Sequence, residues 1–353
     1  MNTTASSTAA AATKTAAGTG NLQLEYLSSH QVASQPASWW QSVLGIVGFE
    51  KPPPIDRTRV PVTASMTRSL SAGDLCEVWR VPEIRLSSGP AQCRVNYRYS
   101  DDLLFGSLII EEQAIEARGE AGALLRATEI AYQEIFDVLN DTKHPHLIRI
   151  WNYLPAINAQ AGGDERYRHF NSARQMAFRK SGRATMGTVP AASALGSPAG
   201  SPISIYFLAA RRPPKMIENP RQTSAYHYPP KFGKHSPIFS RACVWGESFG
   251  SRLFVSGTAS IVGHESLHPG DVIAQTRETI VNISALLDEA NHAVGSARYS
   301  LPGLKLKVYV RNPSDLPAIE ATLSELLSPA AGIVYVQADV CREDLLVEIE
   351  AVG

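Results

Sequence analysis

The sequence predicts an α+β protein built as two tandem, pseudo-symmetric copies of one unit, each a mixed β-sheet packed by helices. Three observations carry this. Short apolar or period-two runs alternate with longer runs of helical spacing, in the order β, α, β, α, β, β over the C-terminal third. A diverged version of the same order precedes it. The chain has 353 residues, more than twice what one such unit needs.

From the N-terminus, residues 1–22 are rich in Ala, Thr and Ser with a single Lys and no apolar segment, so they are expected to be a disordered tail. An organelle transit peptide would carry Arg, and this stretch has none. Trp39-Trp40 lies in a Ser/Gln/Pro-rich entry segment and is expected to serve packing. The first copy is expected within residues 23–232. Its strand is Leu103 to Ile110, followed by a helix from Ala121 to Leu139 with Leu124, Leu125, Ile130, Ile135 and Phe136 at amphipathic spacing. A strand over Leu147 to Tyr153, a helix over Arg166 to Phe178 and a strand over Ile203 to Ala209 complete it. The Ser/Gly/Ala-rich stretch from Ser181 to Pro202 is expected to be a loop, either an insertion or a lid.

The second copy is expected within residues 233–353. Arg252 to His264 supplies a strand and turn, and Pro269-Gly270 ahead of Asp271 marks a turn and an N-cap. The helix runs to about Val294, with Ile273, Ile280, Ile283, Leu286 and Leu287 on one face. A strand from Leu304 to Arg311, a helix from Asp315 to Leu327, and strands near Ile333 to Val340 and Leu345 to Ala351 follow. Pro190-Ala-Ala-Ser193 in the first copy is echoed by Pro329-Ala-Ala-Gly332 in the second.

Glu348 stands out within the last strand. It sits between Val347 and Ile349, so it is either the polar, outward position of a half-buried strand or an acid aimed into a site. Alternation alone leaves both readings open.

Residues 236–353 resemble the RidA (YjgF) domain. Gln275, Asn282 and the run Val347-Glu-Ile-Glu-Ala351 fall where that family has its counterparts. Enzymes of that family carry a carboxylate-binding Arg in a Pro-Ala-Arg segment, and Ala331 stands there, as Ala192 does in the first copy. The resemblance therefore does not extend to simple imine deamination. From about residue 60 onward the chain resembles the chorismatase family, through the tandem arrangement, the Cys341-Arg342 to Glu348 phrase, Glu218-Asn-Pro-Arg-Gln-Thr-Ser-Ala-Tyr-His-Tyr-Pro229 and Ser236-Pro-Ile-Phe-Ser-Arg-Ala242. That resemblance implies conversion of chorismate without a cofactor, with Glu348 as the catalytic acid. It associates a cysteine at the position of Cys341 with hydroxybenzoate-forming branches rather than the hydrolytic one.

Chorismate is a dianion, and carboxylates call for Arg donors because guanidinium matches them bidentately. Arg149, Arg221, Arg241 and Arg342 lie outside the helices; Arg149 and Arg221 are favoured by the adjacent Trp151, Tyr226 and Tyr228, which suggest an aromatic-lined pocket. Tyr228, and Tyr206 at the pyruvyl end, join the expected substrate contacts, with Gly257, Ala259 and Cys341 shaping the pocket. Glu348, kept protonated by burial, would protonate the enolpyruvyl methylene. The expected products are pyruvate and 3-hydroxybenzoate, with 4-hydroxybenzoate as a second isomer. The alternatives are the hydrolytic reaction, giving a dihydroxycyclohexadiene carboxylate, and a non-catalytic RidA-like binding protein.

Other chemistries lack support. With 33 basic and 33 acidic residues there is no global field to recruit nucleic acid or an anionic membrane. No apolar run is long enough for a membrane span. Cys76, Cys93, Cys243 and Cys341 form no Cys-x-x-Cys pair, which favours a reducing cytoplasm. His264 and His268 have the spacing of a zinc helix, but Pro269-Gly270 follows at once, so no metal is expected. The glycines show no phosphate loop, and Ser256-Gly257 lacks the flanking glycines of a hydrolase elbow. A monomer and a homo-oligomer, including a trimer, are both compatible with the pattern.

Overall fold

Three β-sheets organise the computed structural model, which describes residues 22–56, 60–82, 86–89, 94–246, 250–328 and 332–353. The first was not foreseen. Strands β1 (Gln23–Ser28), β2 (Val43–Gly48), β3 (Val62–Ala64) and β4 (Leu75–Arg80) form a four-stranded sheet in the order β1-β4-β2-β3. Trp39 closes a small core on it with Val32, Ile46 and Val78, and Trp40 meets Trp39 edge-on, the ring centroids 5.1 Å apart.

The other two sheets repeat one topology. The first half contains β5 (Asn96–Tyr99), β6 (Leu103–Ile110), α1 (Gly122–Asp141), β7 (His146–Pro155), α2 (Arg166–Lys180), β8 (Ala191–Ser197) and β9 (Ile203–Ala210). The second contains β10 (Ala242–Trp245), β11 (Arg252–Thr258), α3 (Val272–Val294), β12 (Lys305–Val310), α4 (Leu316–Leu326), β13 (Gly332–Gln337) and β14 (Val347–Val352). Their strand orders, β5-β6-β9-β7-β8 and β10-β11-β14-β12-β13, correspond place for place. In each, the last strand lies antiparallel between two others, and the outer strand pairs in parallel.

Two corrections follow. The expected loop from Ser181 to Pro202 contains β8, which pairs with β7 along its length although Ala, Ser and Gly are poor strand formers. Pro190-Ala-Ala-Ser193 therefore enters a strand, while Pro329-Ala-Ala lies outside the described residues. Ile273 is 46 % exposed in the first turn of α3, whose burial begins at Gln275. The Asp271 side chain does cap α3, accepting from the Ala274 N–H at 2.9 Å, and Gly295 ends it in the left-handed region, φ 69°.

A division at residues 232 and 233 is crossed in both directions. Lys215–Ile217 extends the second sheet at β10, Asp339–Val340 pairs with β8 of the first, and Arg68–Ser69 pairs with β13. Helices α1 and α2 cover one face of the first sheet, and α3 and α4 one face of the second. The uncovered faces meet each other and the four-stranded sheet around Trp79, Phe105, Trp151, Tyr153, Tyr206, Phe254 and Tyr309.

Candidate active site

Strand β14 resolves the ambiguity at Glu348. Val347, Ile349 and Ala351 point into the core under α3 and α4. Period two therefore sends Glu348 and Glu350 to the opposite face, toward the first half, where both are buried. Two side chains of α3 set the strand's approach. Gln275 donates to the carbonyls of His268 and Asp344 and accepts from the Leu346 N–H, fixing the segment that leads into β14. Asn282 donates to the carbonyls of Ala259 and Ile261, fixing the segment after β11.

Glu348 lines a cavity of about 510 Å³ between the halves. Its walls include Tyr167, Tyr228, Phe232, Phe239, Gly257, Ala259 and Cys341, with Arg168, Lys231, Arg241 and Arg342 as cations. A smaller recess of about 30 Å³ shares Glu348, Gly257, Cys341 and Tyr167 and adds Asn152, Asn171, Arg174 and Ser193. Gly257 is required by close approach, because a Cβ there would stand 1.8 Å from Glu348 Oε1. Its N–H donates to Ser193 Oγ at 3.0 Å, and Ser256 Oγ accepts from the Ala192 N–H, so β11 and β8 are joined beneath the acid.

The cationic walls hold spare donors. Arg241 gives Nη2 to the Thr223 carbonyl and the Tyr228 hydroxyl, while its Nε is buried without an acceptor among the described residues. Arg342 gives Nη1 to His264 O and Ser266 Oγ and stacks on Phe232 at 4.1 Å, leaving Nη2 without an acceptor. In the recess, Arg174 Nε and Nη2 and Asn171 Nδ2 are likewise unmatched.

Burial raises the Glu348 carboxyl from its ordinary 4.5 to about 8; the Glu350 charge adds to this, and Arg149, Arg241 and Arg311 oppose it. At neutral pH the acid holds its proton. Burial, with the Glu348 charge, also pushes the Cys341 thiol up to about 12, so it is a thiol rather than a nucleophilic thiolate.

Of the residues singled out in sequence, Glu348, Tyr228, Gly257, Ala259 and Cys341 gather at this cavity, as do Arg241 and Arg342. Three do not line it. Arg149 is buried behind it, giving Nη2 to Glu350 at 2.7 Å and to Ser193 Oγ at 2.5 Å. Tyr206 stacks on Trp151 at 4.5 Å, its hydroxyl donating to Glu77 and accepting from Lys307. Arg221 donates to Asn282 Oδ1 and Glu278, bracing α3. Sequence reasoning missed Tyr167, Asn171 and Arg174. Their i, i+4, i+7 spacing puts three polar groups on one face of α2, and that was the available signal.

Among the described residues no helix is long and apolar enough to cross a membrane. Residues 77–209 match the family model described as chorismatase FkbO/Hyg5-like, N-terminal. A 3-hydroxybenzoate synthase of Streptomyces hygroscopicus is 42 % identical over 240 residues, covering 65 % of this chain and 70 % of its own length. A chorismatase of the same organism is 36 % identical over 298 residues, covering 82 % of each chain. A crystal structure of a chorismatase superposes with a TM-score of 0.80 at 30 % identity, covering 94 % of this chain and 98 % of its own.

Proposed function

This chain belongs to the chorismatase family, and on that premise we propose that it converts chorismate into 3-hydroxybenzoate and pyruvate, with Glu348 as the acid. The observation that carries the reading is a buried carboxyl, protonated at neutral pH, at the wall of a cavity where Arg241 and Arg342 keep N–H donors unmatched among the described residues. Arg241 and Arg342 on one side, and Arg174 with Asn171 on the other, are suited to the two carboxylates of the substrate.

Glu348 delivers its proton to the enolpyruvyl methylene carbon, leaving an oxocarbenium ion on the ether oxygen. The 4-hydroxyl oxygen then displaces that oxygen at ring carbon 3. Pyruvate departs, the hydroxyl proton returns to the Glu348 carboxylate, and the two ring carbons share an oxirane oxygen. Opening of the bond to carbon 4, with loss of the hydrogen on carbon 3 as a proton, gives 3-hydroxybenzoate. Atoms balance without added water. The Cys341 thiol occupies space beside the acid where an attacking water would stand. A cytoplasmic setting fits the unpaired Cys76, Cys243 and Cys341.

The test is incubation of the purified protein with chorismate, with chromatographic product identification and a pyruvate assay. Aromatic product with equimolar pyruvate, abolished in Glu348→Gln, is expected. Pyruvate with the dihydroxy diene would replace this reading by the hydrolytic reaction. No pyruvate would overturn both.

A further inference from the structure

Behind the acid lies a second carboxylate that the reaction does not touch. Glu350 shares the inner face of β14 with Glu348, about 7 Å along the strand. It is held by two cations from different strands, Lys307 Nζ at 2.9 Å and Arg149 Nη2 at 2.7 Å. It also accepts from Trp151 Nε1 at 2.8 Å and from Ser193 Oγ at 2.9 Å. Lys307 is itself bound to Glu77 of the four-stranded sheet at 2.5 Å. All these side chains are buried.

We propose that Glu350 is a positioning residue for the acid: a fixed buried anion that holds Ser193 under Gly257 and, from the same strand face, opposes loss of the Glu348 proton. The geometry supplies both effects. Ser193 Oγ receives Arg149 Nη2 and the Gly257 N–H while donating to Glu350, so the carboxylate anchors the backbone on which the Glu348 carboxyl rests. The Cβ position at Gly257 that lies 1.8 Å from Glu348 Oε1 is also 3.1 Å from Ser193 Oγ. One hydroxyl thus binds Glu350 directly and, through the Gly257 N–H, holds the backbone that Glu348 overlies.

The other groups facing Glu348 act in known senses. Arg149, Arg241 and Arg311 favour its ionisation, whereas Glu350 and burial oppose it. Cys341 and Tyr167 are both held protonated, burial being the first cause for each. Around Glu350, burial disfavours its charge, but Lys307 and Arg149 more than offset this and hold it ionised. Glu350 is the negative charge that acts most strongly on the acid, while Glu165, Glu265, Glu343 and Asp344 line the wider cavity.

The inference rests on Glu348 being the acid, and its test separates the two. In kcat/KM profiles, Glu350→Gln should move the alkaline limb at least one pH unit below that of the wild type. Loss of activity equal at every pH, with the limb in place, would reduce Glu350 to a structural residue and overturn the proposal. A second readout needs neither turnover nor that variant: carbon-13 NMR of carboxyl-labelled glutamates in the wild type, with Glu348→Gln for assignment. Glu350 should stay ionised across the range and show an inflection where Glu348 titrates, absent in Glu348→Gln. Titration of Glu348 in the ordinary glutamate range beside an ionised Glu350 would overturn the proposal, even if chorismate were turned over. A chain inactive on chorismate that shows the coupled titration would refute the reaction and leave the pairing standing.

Discussion

Gly257 lies so close beneath the Glu348 carboxyl that a Cβ there would stand 1.8 Å from Oε1. Gly257→Ala must displace the acid or the strand. Pyruvate release from chorismate is expected to fall by about 10²-fold or more, the scale of a misplaced catalytic group. Overpacking should cost about 1–3 kcal/mol in a denaturant titration. Wild-type turnover in a folded variant would show that the acid does not need this seat.

The protonated acid leaves a mark on stability. The folded value of Glu348, about 8, lies above its ordinary 4.5. The stabilisation is thus full below about pH 4.5 and is lost as pH rises through about 8. Glu348→Gln cannot ionise, so its Tm should match the wild type near pH 5 and exceed it at pH 9. Parallel Tm curves across that range would count against a raised value.

Arg342 and Arg241 should show in substrate affinity. Replacing Arg342 by Met is expected to raise KM for chorismate about 10- to 100-fold, the worth of one charge-assisted pair. Arg221→Ala should instead lower thermal stability, since Arg221 braces Asn282 and Glu278. Steady-state kinetics on both variants decides which arginines face the ligand.

Lys307 is buried against Glu77 and Glu350. Lys307→Met leaves two carboxylates facing each other without that cation and should destabilise the fold by about 3–5 kcal/mol. Urea denaturation measures it. A stability loss below about 1 kcal/mol would mean that the carboxylates take up protons with little strain.

The tandem order, the capped helix at Asp271 and the strand bearing Glu348 could be read from periodicity because each is a local pattern. The direction of Glu348 could not, since alternation defines two faces without saying which meets the other half. Arg149 and Arg342 differ only in what surrounds them. Arg149 is ion-paired behind the cavity with Glu350, 201 residues away in sequence, whereas Arg342 lines the cavity itself. The four-stranded sheet was hidden because its strands are short and interrupted by Pro52-Pro53-Pro54. Strand β8 was hidden because its composition is that of a loop, and only pairing with β7 makes it a strand.

Each half places its final strand between two made earlier: β9 between β6 and β7, β14 between β11 and β12. On the ribosome the first sheet can therefore zip shut while the second is still being translated. The second must wait with the edges of β11 and β12 open until Val347–Val352 leave the tunnel. Glu348 arrives on the piece that closes the gap, so the carboxyl proposed as the proton donor has no seat until β14 is in place.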